Sequence, residues 1–314
     1  MNLFLPWREL NKKGVLGVNR RNASYILPYN RRRYYPIVDD KLKTKEYAIK
    51  HNIAVPELYG VVEIYGQLRN LPKILENRSD FVIKPIRGSQ GNGILVIASR
   101  RKDRFIKPDD TLLTIEDLKY HVINILSGMF SLGGVIDSAM IEYRVKSTRL
   151  FDNISYKGVP DIRIIVFKGI PVMSMLRLPT SLSDGKANLH QGAIGVGINI
   201  RTGTTTHAVV GNEIIDEHPD TGFKLSKIEI PDWDVCLEIA SKCYNFTGLS
   251  YVGVDIVIDN TRGPLVLELN ARPGLNIQLA NMTGLEPRLK RVENLLNIPE
   301  DIGERIKIAK ESFG

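Results

Sequence analysis

Two apolar runs near the C-terminus, YVGVDIVID from Tyr251 and LVLELN from Leu265, carry acids among residues that otherwise belong in a core. Side chains alternate between the two faces of a strand, so the second run places its leucines on one face and Glu268 with Asn270 on the other. A four-residue loop at 260–263 sets Asp255 directly opposite Glu268 in simple antiparallel register. Like charges facing each other across a pair of strands are destabilising. Two carboxylates and an amide oxygen converging in an apolar hairpin make physical sense around a hard divalent cation. Mg²⁺ uses few carboxylates and completes its octahedron with phosphates and waters, so it is the expected occupant.

A second candidate is Phe81-Val82-Ile83-Lys84-Pro85 leading into Gly88-Ser89-Gln90-Gly91-Asn92-Gly93. Glycines alternating with small polar residues give a loop whose backbone N–H groups can close over phosphates. Lys84, at the end of the preceding strand, adds a cation. The Walker A spacing is absent. A third candidate joins Asp161 and Arg163, on one face of a strand, with Arg177 and the polar run Asn188-Leu189-His190-Gln191-Gly192, a composition suited to an anion or a polar substrate. A salt bridge would account for Arg163 alone.

These residues need elements to hold them. Asp39 and Asp40 can cap a helix over 41–52 that Pro56 closes off. A second short helix is expected over 67–77. Apolar, β-branched runs at 81–86 and 94–98 flank the glycine-rich tip as a hairpin. Thr114-Ile115-Glu116-Asp117 has the form of a capping box opening a long helix that ends near Gly133. Strands follow at 139–145, 162–168 and 171–178, with a polar loop over 179–192. A helix over 232–246 stops at Gly248, then come strands at 251–259 and 264–270 and two C-terminal helical stretches. Hairpins and meanders with flanking helices predict α+β architecture rather than a doubly wound parallel sheet.

Composition sets the outer bounds. Of 314 residues, 43% are hydrophobic and 25% charged, so a sizeable core is expected and wholesale disorder is not. No run reaches the roughly 18 apolar residues that span a bilayer. Pro6, Arg8 and Glu9 stand where a signal peptide would be apolar. Cys236 and Cys243 are seven apart in an expected helix, about 10 Å along its axis, beyond disulfide reach. They are expected as core fillers in a reducing, cytoplasmic compartment.

The net charge of +8 is uneven. The first 38 residues hold eight Lys/Arg against the single acid Glu9, so the rest of the chain is nearly neutral. Residues 1–38 therefore read as a basic arm with an acidic partner.

Taken in order, DDKLKTK from Asp39, FVIKPIRGSQGNG from Phe81, MIEYRV from Met140, VPDIRIIVFKG from Val159, NLHQGA from Asn188, YVGVDIVI from Tyr251 and LVLELNARPGL from Leu265 resemble the ATP-grasp enzymes. The resemblance looks closest to RimK-like glutamate ligases and covers about three quarters of the chain, Asp39 to Leu275. It implies an α+β ATP-grasp fold of two subdomains with a truncated N-terminal region, divided as an arm (1–38), an ATP-grasp domain (39–298) and a C-terminal helix (299–314). The implied activity is ATP-dependent carboxylate–amine ligation, ADP-forming, through an acyl phosphate.

At matching positions the resemblance implies that Lys84 contacts the ATP phosphates and that Lys41 belongs to the early Asp-Lys element. Ser89, Gln90, Gly91 and Asn92 would cover the nucleotide. Glu142, Tyr143 and Arg144 would form the adenine hinge, mostly through backbone, with Asp161 near the ribose. Asp255, Glu268 and Asn270 would hold Mg²⁺, Glu268 bridging two ions, with Mn²⁺ able to substitute. Arg177, Asn188 and Arg272 would face the transferred phosphate or the substrate carboxylate.

The chain departs from the RimK-like pattern in three places. Only 38 residues precede Asp39 where those enzymes carry an α/β domain, a helical insertion falls at 114–133, and Arg272-Pro273 stands in place of Ser-Pro. The donor carboxylate and the acceptor amine, an amino acid and a peptide or protein on this reading, are therefore left open. The basic arm is expected to dock a large or anionic acceptor. The rival readings are a nucleotide-binding module without turnover and a nucleic-acid binder that uses Tyr25, Tyr29, Tyr34 and Tyr35 among the arginines.

Overall fold

The computed structural model describes residues 5–88 and 91–314, so Ser89 and Gln90 of the expected nucleotide loop lie outside the described residues. The chain divides into two compact units, the smaller built from 40–45 and 55–145, the larger from the segment up to Asp39, 46–54 and 146–314.

In the smaller unit β1 (Leu58–Val62), β2 (Phe81–Pro85), β3 (Leu95–Ile97) and β7 (Ala139–Glu142) form an antiparallel sheet in the order β1-β7-β2-β3. The intervening β4 (Ser99–Arg101), β5 (Arg104–Ile106) and β6 (Leu112–Leu113) make a separate three-stranded sheet. The expected capping box is present: the Thr114 side chain accepts from the Asp117 N–H, and the Asp117 carboxylate accepts from the Thr114 N–H. It opens the helix Ile115–Leu126, whose Leu118, Val122, Ile125 and Leu126 recur at the three- and four-residue spacing of one helical face. That face packs with Phe81, Ile83, Ile97 and Ile141 into the unit's core. Phe81 and Ile83 point into this core, so Val82 and Lys84 take the other face of β2, with Glu142 opposite Val82.

The expected helix over 67–77 forms only as a 3₁₀ turn, Tyr65–Asn70, and one α-turn, Leu71–Ile74. Pro72 near its start fits a helix N-terminus and no interior, so the pattern cannot run through it.

The larger unit is built on seven antiparallel strands: β8 (Asp161–Phe167), β9 (Ile170–Leu178), β10 (Ile194–Ile198), β11 (Thr205–Val210), β12 (Glu213–Ile215), β13 (Tyr251–Asp259) and β14 (Gly263–Asn270). They lie in the order β12-β11-β10-β9-β8-β13-β14. The helix Trp233–Thr247 packs on β8, β9, β13 and β14, and the helix Ile302–Phe313 packs on β9. Alternation gives the sheet its core face, where Ile162, Ile164, Val254 and Ile256 are all but sealed from solvent. Truncating Ile164 to Ala would cost about 2–5 kcal/mol through lost transfer energy and the cavity left behind. Both cysteines are buried and unpaired on the Trp233–Thr247 helix, as expected. Strands β10 to β12 have no counterpart among the expected elements, because Gly195 and Gly197 interrupt the alternation of β10.

Among the described residues, the basic segment does not stand apart as an arm. From Leu16 on it is part of the larger unit, with Leu16, Tyr25, Ile26 and Val38 buried. Tyr25 and Tyr29 meet Phe167 edge to face at 5.7 and 5.0 Å. The charges conceal this in the sequence: Arg31, Arg32 and Arg33 are exposed while Leu16, Tyr25 and Ile26, set among the basic residues, are buried. Removing 1–33 would therefore open the core. Of the tyrosines, Tyr25 is buried, Tyr29 is half-buried with its hydroxyl bonded to Glu293, and Arg33 and Arg272 lie over the rings of Tyr34 and Tyr35 at 4.7 and 5.0 Å.

Candidate functional site

The expected site residues fall on both units. In the larger one they gather on the sheet face opposite the core helices. Register places Asp255 beside Glu268 on one side and Arg163 on the other, Asp161 beside Arg177, and Gly253 beside Asn270. Asp255 opposite Glu268 is the expected pairing, reached by a different route. The hairpin loop is one residue shorter than assumed, with Asp259 opposite Gly263, and a bulge between Asp255 and Ile256 adds the residue back on β14. Gly263, at φ 69°, supplies the left-handed turn residue that the tight loop requires.

Arginines hold the carboxylates of this face apart. Arg163 donates through Nε to Asp255 Oδ1 at 2.8 Å and through Nη2 to Oδ2 at 2.5 Å. Arg177 grips both oxygens of Asp161 and also reaches Asp255 Oδ2 at 2.9 Å. Asn270 Nδ2 donates to Asp255 Oδ2 at 3.1 Å and to Glu268 Oε1 at 3.5 Å. Burial pushes the carboxyl of Asp255 up, but Arg163 and Arg177 outweigh it and hold the group below the usual carboxylate range. For Asp161 burial prevails over Arg177, and the charge of Asp255 adds to it, so its carboxyl rises to about 6. The difference follows from geometry: Asp255 is shared by two guanidiniums and Asp161 has one.

Asp161 has both oxygens bonded to Arg177 and fixes that guanidinium. Arg177 lines a cleft with Arg163, Met175, Asn188, His190 and Asn276, but as a charge bridge between two acids. Asn188 lies in that cleft and its side-chain oxygen caps the turn Leu189–Gln191 by accepting from the His190 N–H at 3.0 Å. Arg272 is exposed and lies over Tyr35 instead of lining the cleft. Arg163, unassigned beyond a salt bridge in the sequence, is the closest cation to Asp255. Its alternation with Asp161 was the signal.

In the smaller unit Lys84 is 7% exposed and ion-paired with Glu142, which also meets Lys45 Nζ at 3.0 Å. Lys45 Nζ also donates to the Pro56 carbonyl. Burial raises Glu142 and lowers Lys45. The two lysines more than offset burial at Glu142, which is held ionised. Lys45 escapes notice in the sequence, although it lies four residues after Lys41 and so shares a helix face with it. Lys41 Nζ donates to the Gly88 carbonyl at 2.5 Å, at the start of the glycine loop. Gly91 and Gly93 both have positive φ, 76° and 75°, and Asn92 is exposed between them.

Of the three expected hinge residues, Glu142 is ion-paired with Lys84 and Lys45, Tyr143 N–H donates to the Glu57 carbonyl at 2.8 Å, and Arg144 faces Asp80 at 3.5 Å.

The donor set on the sheet face can be weighed against a cation. No group of three or more His, Cys, Asp or Glu side chains disposed for a metal occurs among the described residues. Two facing carboxylates and one amide are a smaller set, suited to Mg²⁺ that draws its remaining oxygens from phosphates and water. No described helix is long and apolar enough to cross a membrane.

No curated protein matches the sequence. Solved structures similar to it include the ATP-grasp ligase PsnB complexed with minimal precursor, at 14% identity over 83% of this chain and 60% of PsnB, with a TM-score of 0.46. A RimK domain ATP-grasp protein from Sphaerobacter thermophilus aligns at 14% identity over 86% of this chain and 72% of that one, TM-score 0.46. D-alanine–D-alanine ligase from Bacillus anthracis complexed with ATP aligns at 14% identity over 89% and 68%, TM-score 0.46. This chain thus spans about three fifths of PsnB, and likenesses at these scores carry no argument about activity. The sequence profile of sugar-transfer associated ATP-grasp proteins matches residues 20–294, most of the chain. The protein belongs to that family, and its α+β architecture is the ATP-grasp fold.

Proposed function

We propose that the protein is an ATP-dependent ligase that joins a carboxylate to an amine with release of ADP. The observation that carries this reading is the pairing of Asp255 with Glu268, with the Asn270 amide bonded to both, on a sheet face they share with Arg163 and Arg177. Two facing carboxylates and an amide oxygen are hard donors suited to a divalent cation, and Asp255, Glu268 and Asn270 would hold Mg²⁺. A half-turn of the Asn270 amide exchanges its donor for an acceptor oxygen. When bound, Mg²⁺ neutralises charge on the phosphates and favours transfer of the terminal phosphoryl group.

The chain's own residues supply positioning and electrostatics. Lys84, held charged and oriented by Glu142, would contact the nucleotide phosphates, and Lys41 with Gly91 and Asn92 would shape the loop over them. Asn188 and Arg177, in one cleft, would face the substrate carboxylate. Attack by that carboxylate on the terminal phosphate expels ADP and gives an acyl phosphate, and the amine then attacks its acyl carbon, releasing phosphate and forming the amide. No protein nucleophile is required. The donor and acceptor, an amino acid and a peptide or protein in this reading, are set by the cleft and its surroundings.

ADP release, measured with mixed amino acids and peptides in the presence of Mg²⁺–ATP, tests the proposal. Glu268→Gln and Asn270→Ala should abolish it while circular dichroism stays unchanged. Near-normal turnover in either variant at saturating Mg²⁺ would remove these residues from the site.

A further inference from the structure

The hairpin that carries Asp255, Glu268 and Asn270 is held at its open end by the N-terminal basic segment. The β13–β14 ladder closes at Gly253 opposite Asn270, and beyond that pair neither strand bonds to the other. Asn30 fills the gap. Its side-chain oxygen accepts from the Tyr251 N–H at 2.9 Å, and its amide donates to the Tyr251 carbonyl at 2.6 Å and to the Ala271 carbonyl at 3.3 Å. One side chain thus serves as the next rung, tying the start of β13 to the residue after Asn270. It is 2% exposed, so water cannot readily replace those bonds.

Arg21 acts two residues further on. Its guanidinium is buried and donates through Nη1 to the Pro273 carbonyl at 2.8 Å. Pro273 in turn folds back over Gly253, where an added Cβ would sit 2.7 Å from the proline ring. The turn Ala271-Arg272-Pro273 is therefore fixed from beneath by Arg21 and from above by the absence of a side chain at Gly253. Gly253 shares its face with Asp255.

We infer that Asn30 and Arg21 are positioning residues for the metal-binding hairpin, setting where the Asn270 amide stands relative to Asp255 and Glu268. The inference rests on the assignment of Asp255, Glu268 and Asn270 to Mg²⁺. Partners that orient ligands of a metal typically change metal affinity or activity by about 10–100-fold when removed. A helix that merely packs on the sheet would change melting temperature and leave metal affinity alone.

The test is Mn²⁺ titrated into the full chain with ADP present, followed by electron paramagnetic resonance, with melting temperature recorded in parallel. Asn30→Asp keeps the acceptor for Tyr251 N–H and loses both donor bonds. Arg21→Lys keeps charge and loses the reach of the fork. Asn30→Asp should weaken Mn²⁺ binding about tenfold or more, and Arg21→Lys should weaken it less, with the half-saturating Mg²⁺ for ADP release moving in the same order. Mn²⁺ affinity equal to the parent protein's in both folded variants, whatever the melting temperature, overturns the inference. Glu268→Gln separates the two failures. If it abolishes Mn²⁺ binding while Asn30→Asp and Arg21→Lys leave it intact, only the positioning role is lost. If Glu268→Gln also binds normally, the metal assignment falls and this inference with it. Should Asn30→Asp not fold, Arg21→Lys decides alone.

Discussion

Replacing Glu142 with Gln tests whether the buried lysine pair is organised by that one carboxylate. Glu142 is 3% exposed and sits between the ammonium groups of Lys84 and Lys45, themselves 7% and 5% exposed. Gln keeps the volume and removes the charge, leaving two buried cations facing an amide. Breaking a buried ion pair by removing one partner costs about 3–5 kcal/mol, because the remaining charge is left uncompensated. Lys84→Ala is milder, since Lys45 still neutralises Glu142 and only one member is lost. Hydrogen exchange read by mass spectrometry localises the effect. In Glu142→Gln, amides of β2 and β7 should exchange at least about 100-fold faster, following a loss of about 3 kcal/mol, while β13 stays protected.

Function should follow through Lys84, whose ammonium loses the partner that orients it. Both variants should show a raised KM for ATP and a lowered kcat, as expected for a contact that strengthens in the transition state. Glu142→Gln protection within experimental error of the parent protein, or a smaller loss than in Lys84→Ala, would refute the reasoning.

Asp161, raised from 3.8 to about 6, binds its proton more tightly folded than unfolded, so its contribution to stability is full below about pH 4 and is lost as pH rises through 6. Relative to Asp161→Asn, the protein should lose about 3 kcal/mol across that window. Urea unfolding of both at pH 4 and 7 checks the sign, and a constant difference would count against it. Burial pushes the thiol of Cys236 up to about 12 and that of Cys243 higher still. A thiol reagent should therefore label neither in the folded protein and both in urea, and rapid labelling of the native chain would contradict their placement. Gly253→Ala should cost about 1–3 kcal/mol by forcing its Cβ against Pro273, read as a lowered melting temperature, and an unchanged one would mean that the turn gives way freely.

The sequence by itself determined what depends on short-range periodicity. A continuous apolar run marks β13, period-two alternation puts Asp161 with Arg163 on one face of β8 and Glu268 with Asn270 on one face of β14, and the Thr114–Asp117 box starts its helix, because these patterns lie within a few residues of chain. Ordered motifs were enough to mark the ATP-grasp family. What depends on partners distant in sequence was settled only by the tertiary structure. Asp255 faces Glu268 because a shorter loop and a bulge compensate, and a one-residue error in either would have turned the acids to the core. Lys45 joins Glu142 and Lys84 because a helix brings it to the sheet, a meeting that no local pattern in the sequence specifies. The basic N-terminal segment looks like a tether by charge. Asn30 and Arg21 nonetheless make it the clamp of a hairpin more than 200 residues away, because buried carbonyls left beyond the ladder require donors from wherever the fold can supply them.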